Sequence, residues 1–144
     1  MAILSSEILH ATSIAIDGRA VLLEGVSGTG KSDLALRLID RGAMLISDDQ
    51  TLLVRKGKDL LARAPGTIRG RMEVRGIGIV TMEHVEDIPV NLIVRLGVEP
   101  MRMPERRQRR IAGVIVREVA FEAFHASTPI KIEWTLRQPE ATPA

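Results

Sequence analysis

Residues Gly25-Val26-Ser27-Gly28-Thr29-Gly30-Lys31-Ser32 spell G-x-x-x-x-G-K-S, and few short patterns restrict the fold around them so tightly. A phosphate-binding loop of this kind works only where a strand ends and a helix begins. Both are written on either side. Ahead lies the short apolar run Ala20-Val21-Leu22-Leu23, of strand character. Behind, Asp33 to Arg41 carries Leu34, Ala35, Leu38 and Ile39 on one side and the pair Asp33/Arg37, four apart, on the other. Gly42 stands where a helix C-terminal cap favours glycine. The glycines let the backbone bend into a nest whose N–H groups face anionic oxygens, and the helix adds the positive end of its dipole. Lys31 can reach the β- and γ-phosphates, and the Ser32 hydroxyl is placed to ligate Mg²⁺. The spacing predicts that Gly25, Val26, Ser27, Gly28, Thr29, Gly30, Lys31 and Ser32 bind a phosphorylated nucleotide or pyrophosphate.

The remaining composition narrows the classes. A chain of 144 residues is one domain with a real core, expected over 1–137, with the proline-containing 138–144 as a disordered tail. Its apolar content is aliphatic, with two Phe, one Trp and no Tyr, which argues against single-stranded nucleic-acid binding by base stacking. A net charge of only +2 is no general trap for polyanions. The absence of cysteine excludes disulfides, a thiol nucleophile and a Cys-type zinc site. With neither a basic leader nor a run of membrane-spanning length, a cytoplasmic protein without nucleic-acid or membrane partners is expected.

Past the helix the pattern is mostly strand. Ala43–Ser47, Thr51–Arg55 and Leu60–Ala64 are short apolar or alternating runs, the last two joined by the turn Lys56-Gly57-Lys58-Asp59. Met72–Val74, Ile77–Val80, Val90–Leu96, Val114–Ala120 and Pro129–Leu136 follow as further strands, after an early one at Thr12–Ile16. One helix among so many strands and hairpins predicts an α/β chain with a mixed sheet, unlike the all-parallel doubly wound sheet of common small-molecule kinases and GTPases. No guanine-reading N-K-x-D occurs either.

Other clusters could supply chemistry. Asp48-Asp49 follow a strand directly, and a carboxylate at a strand end near the loop can hold Mg²⁺ or accept a hydroxyl proton; the same residues also suit a turn bonded to its own backbone. In Glu73-Val74-Arg75-Gly76-Ile77-Gly78-Ile79, Glu73 and Arg75 share a strand face and the glycines permit a bend, or the segment is an edge strand with a surface ion pair. His10 precedes a strand, as catalyst or as surface residue, while His84 and His125 carry no supporting pattern and read as structural. The basic stretch Arg102 to Arg110 reads as a loop: a solvated segment, or a flap over phosphates or contact for an acidic protein surface, with nucleic acid a weak third because the charge is local and no aromatic interleaves it.

In this order and at this spacing, His10, Gly25–Ser32, Asp48-Asp49 and Glu73–Ile79 together resemble the catalytic domain of the HPr kinase/phosphorylase family, over roughly residues 8–100. The resemblance implies a phosphate-loop-containing mixed, barrel-like sheet with few helices, related to phosphoenolpyruvate carboxykinase. It implies transfer of phosphate from ATP or pyrophosphate to a serine of the phosphocarrier HPr, with Mg²⁺, and the reverse phosphorolysis. Asp48 would be the general base, His10 would tune it, Ser32 and Glu73 would hold Mg²⁺ with Asp49 nearby, and Lys31 would stabilise the transferred group. Arg102 matches a mobile-loop arginine linked to phosphorolysis. The family forms hexamers, so a homo-oligomer is expected. Val26 and Gln50 replace an acidic residue and an arginine usual there, and the later Pro-Val-Lys-x-Gly-Arg-Asn-like stretch is missing. The chain is expected to lack the family's N-terminal domain and C-terminal helices. Alternatives are a kinase for another protein or a small hydroxylated molecule, and a nucleotide- or phosphate-sensing module without catalysis.

Overall fold

The computed structural model describes residues 5–99 and 107–139. In chain order the described elements are β1 (Ser6–Leu9), β2 (Ala11–Ile16), β3 (Arg19–Glu24), α1 (Lys31–Asp40), β4 (Met44–Ser47), β5 (Thr51–Lys56) and β6 (Asp59–Arg63). A turn of 3-10 helix (Gly66–Ile68), β7 (Arg71–Val74), β8 (Gly78–Thr81), β9 (Ile88–Arg95), β10 (Arg107–Ile111), β11 (Val114–Ala120) and α2 (Thr128–Arg137) complete them.

Strands β3 and β9 run parallel at the centre of a mixed sheet ordered β1-β5-β6-β9-β3-β2-β4. On its other edge β9 meets β6 antiparallel near Ile88 and Pro89, then β11 in parallel from Ile93 to Arg95. The sheet therefore splits along β9. Hydroxyls close its curl: Ser13 on β2 meets Thr51 on β5 at 2.8 Å, and Thr51 Oγ1 donates to the Ala11 carbonyl at 2.8 Å. The mixed sheet expected from the hairpins forms, with the barrel-like curl that the resemblance implies. β7 and β8 make a separate two-stranded ribbon.

Alternation along β3 explains why its sequence is continuously apolar. Val21 and Leu23 face α1 and α2, joining Leu34, Leu38, Leu92 and Ile132 in one core. Ala20 and Leu22 face inside the curl with Ile46, Leu53 and Ile93 in a second core. A strand buried on both faces has no polar side to show. Helix α1 ends as its sequence suggests: the Gly42 N–H donates to Ile39 C=O at 2.9 Å and the Ala43 N–H to Leu38 C=O at 3.0 Å, a Schellman closure with Gly42 at φ 110°. No helix among the described residues is long and apolar enough to cross a membrane.

Two expectations are corrected. Pro129–Leu136 is helical, not a strand. The alternation of Ile130, Ile132, Trp134 and Leu136 imitates period two, but only Ile132 and Leu136, four apart, are buried, while Ile130 and Trp134 are exposed. Pro129 in the first turn, behind Ser127, is a helix-start signal that outweighs the alternation. The basic stretch is not all loop either, because Arg107–Ile111 forms β10 in register with β11. It turns through Ala112-Gly113, both at positive φ (48° and 82°), the geometry of a tight two-residue hairpin. The ladder with β11 and the contacts of Arg109 to Glu24 and Glu118 hold β10, whose sequence carries no apolar period. Arg102 lies outside the described residues, as do residues 140–144 of the expected tail.

Candidate active site

The loop leaves β3 at Glu24, where Leu96 N–H donates to the Glu24 carbonyl at 2.8 Å, and enters α1 at Lys31. Gly28 and Gly30 sit at φ 87° and 91°, a conformation L side chains rarely adopt. The loop braces itself: Thr29 donates through Oγ1 to the Val26 carbonyl at 2.7 Å. At Gly25 a Cβ would collide with the Thr29 hydroxyl and crowd the Leu96 carbonyl at 3.3 Å, so the close turn favours glycine there. Lys31 is buried, its ammonium donating to the Gly25 carbonyl at 2.6 Å and standing 3.5 Å from Asp49 Oδ1.

The turn after β4 delivers the carboxylates. Asp48 is 9% exposed. Its Oδ1 accepts the Ser32 hydroxyl at 2.6 Å and the Thr12 hydroxyl at 3.1 Å, while Oδ2 accepts the Glu73 N–H at 3.0 Å. Asp49, at φ 64°, donates its own N–H to Thr12 Oγ1 at 3.0 Å and points its carboxylate outward toward Lys31. Three segments distant in sequence thus converge on one carboxylate beside the phosphate loop.

The expected residues are distributed accordingly. Lys31, Ser32, Asp48 and Asp49 are brought together. Glu73 arrives by its backbone, and its exposed side chain stands on the ribbon next to the site. His10 is exposed in the bend between β1 and β2 and makes no hydrogen bond among the described residues; Thr12, two positions on, makes the contact to Asp48. Thr12 was not read from the sequence, where its sole signal is a hydroxyl inside an apolar strand. Arg109 was also missed. It grips Glu24 with two hydrogen bonds of 2.6 and 2.7 Å and reaches Glu118 at 3.0 Å, and those carboxylates raise its pKa against the opposing effect of burial.

The donor set suits a hard cation held mainly by phosphates. Among the described residues no three His, Cys, Asp or Glu side chains converge as a metal cage. What stands at the loop is a hydroxyl and two adjacent carboxylates, the oxygen ligands from which Mg²⁺ takes one or two while substrate phosphates and water supply the rest.

A phosphate loop closing β3, on a curled mixed sheet that sets a strand-end carboxylate against the loop serine, defines a protein of the phosphoenolpyruvate carboxykinase-like class. The structure is similar to that titled as the Hpr(Ser) kinase/phosphatase from Coxiella burnetii, with a TM-score of 0.78 and 31% identity over 91% of this chain and 94% of that one. The chain belongs to the HPr serine kinase C-terminal domain family, whose model matches residues 2–96. It is 42% identical over 82 residues to the HPr kinase/phosphorylase of Mycoplasma genitalium, covering 57% of this chain and 26% of the relative. With that of Burkholderia lata it shares 36% over 107 residues, 72% of this chain and 33% of the relative. The alignments thus span about a quarter to a third of these relatives' length.

Proposed function

We propose that this chain is a Mg²⁺- and ATP-dependent protein-serine kinase acting on an HPr-type phosphocarrier, with pyrophosphate as a second donor and phosphorolysis of the phosphoserine as the reverse reaction. The observation that carries the reading is the Ser32–Asp48 hydrogen bond of 2.6 Å, which puts a shielded carboxylate against the loop's cation-binding hydroxyl. A module that only bound nucleotide could use this carboxylate to hold Mg²⁺ but would have no use for it as a base, so phosphate transfer separates the two readings.

In this reading Gly25–Ser32 binds the phosphates, and Asp48 takes the proton of the incoming seryl hydroxyl as the oxygen attacks phosphorus. In the reverse direction Asp48 returns a proton to the leaving serine while inorganic phosphate attacks, giving pyrophosphate. Lys31 moves from the Gly25 carbonyl to the transferring group and offsets its charge. Ser32, Asp49 and Glu73 are the protein oxygens that would hold Mg²⁺, which would offset negative charge on the phosphates. Thr12 orients Asp48, and His10 is retained as its neighbour in catalysis. Arg102 is retained as the arginine for phosphorolysis.

The test is the intact mass of HPr after incubation with the protein, Mg²⁺ and ATP. One added phosphate on a serine is expected, slowed roughly a hundredfold or more by Asp48→Asn and by Lys31→Ala. Full transfer by Asp48→Asn would remove the base assignment. Nucleotide binding without any transfer would move the weight to the sensing module.

A further inference from the structure

We propose that Phe124 is the platform on which the purine base of the bound nucleotide stacks, an inference that rests on the nucleotide reading above. Its ring lies against the phosphate loop itself. A Cβ built on Gly30 would stand 2.9 Å from Cε1 and from Cζ of Phe124, so glycine there, already at φ 91°, is also what lets the ring approach. Gly30 is the residue from which α1 departs, so the ring stands beside the loop that would hold the phosphates.

The backbone that carries the ring is pinned, and the ring itself is uncovered. Arg37 of α1, held by Asp33 at 3.0 Å, donates to the His125 carbonyl at 3.1 Å and also to the Ala123 carbonyl, pinning the backbone on both sides of Phe124. Thr128 adds a hydrogen bond to the Glu122 carbonyl. Ala123 and Phe121 pack into the helix-side core, yet Phe124 remains 64% exposed. Holding an aromatic ring in water does nothing for folding, since the hydrophobic gain comes only on burial. It does serve a ligand, because a preorganised flat face loses little freedom when a base covers it. Base–aromatic stacking suits any purine, since each has a π-face to offer. In a chain with two Phe, one Trp and no Tyr, the placement of one Phe at this loop is informative.

Pyrophosphate has no base, so the two donors separate the platform from the phosphate site. Dissociation constants for Mg²⁺–ADP and Mg²⁺–pyrophosphate are measured by titration calorimetry on the wild type, Phe124→Ala and Phe124→Trp, with thermal melts to establish folding. Phe124→Ala is expected to weaken ADP roughly tenfold or more while pyrophosphate stays within about twofold; Phe124→Trp keeps both. Equal loss of both ligands, or of neither, overturns the platform and leaves the phosphate site standing. So does unchanged ADP affinity with a raised KM for HPr, which would give the ring to the protein substrate. A wild type that binds neither ligand overturns the nucleotide reading and the platform with it.

Discussion

A carboxylate with so little access to water is tolerated only when donors surround it, and Asp48 has three from three different segments. Thr12 serves twice, donating to Asp48 and accepting from the N–H of Asp49, so it fixes the turn as well as the carboxylate. Thr12→Val keeps the shape and the strand preference but removes both contacts. A stability loss of about 1–2 kcal/mol is expected in urea denaturation. The rate of HPr phosphorylation should fall about tenfold with ADP affinity unchanged; a parallel fall in ADP affinity would show that Thr12 supports the whole loop rather than the base. The loop residues were legible because their pattern is contiguous and its chemistry local. Thr12 was not, because its partner is 36 positions away and nothing in Ala11-Thr12-Ser13-Ile14 marks one hydroxyl as aimed at a carboxylate. The backbone contribution of Glu73 is invisible in any sequence, since every residue but proline has that N–H.

Elements were legible where one local signal dominated. Helix α1 has its apolar stripe, its Asp33–Arg37 pair at 3.0 Å and its glycine stop, and all three appear as read. β10 has none of these, and is held by its ladder with β11 and the contacts of Arg109. Arg109 lies between Glu24, the last residue before the phosphate loop, and Glu118 of β11, with Arg95 of β9 placed 3.3 Å from Glu118. Arg109→Met leaves the part-buried Glu24 and Glu118 to share Arg95, at 4.0 and 3.3 Å. The expected cost is about 2 kcal/mol, below that of a fully buried broken pair because water still reaches the group. Combining Arg109→Met with Glu24→Gln should be less damaging than the sum of the two single changes, since both remove the same Arg109–Glu24 contact. Strict additivity in urea midpoints would show that the pair does not couple β10 to the loop.

At the scale of the molecule the site depends on both cores at once. β3 presents Leu23 to the helices and Leu22 to the inside of the curl, and its last residue launches the phosphate loop. β4, which delivers Asp48, likewise divides Leu45 and Ile46 between the two cores. Shared strands leave no seam along which one layer could melt while the other stays. The mixed sheet could be inferred from the hairpins, but this sharing could not, because a doubly buried strand and a buried helix turn have the same apolar sequence. The single tryptophan, Trp134, sits on α2 and reports the helix layer, whereas far-UV circular dichroism is sensitive to the backbone of both layers. Leu34→Ala empties part of the helix-side core and Leu22→Ala part of the inner one, each at an expected cost of about 2–4 kcal/mol. In both variants the fluorescence and dichroism transitions in urea should remain coincident and shift together. If Leu22→Ala instead let the dichroism transition precede that of Trp134, the two layers would be separable, and Asp48 could be lost from the loop without global unfolding.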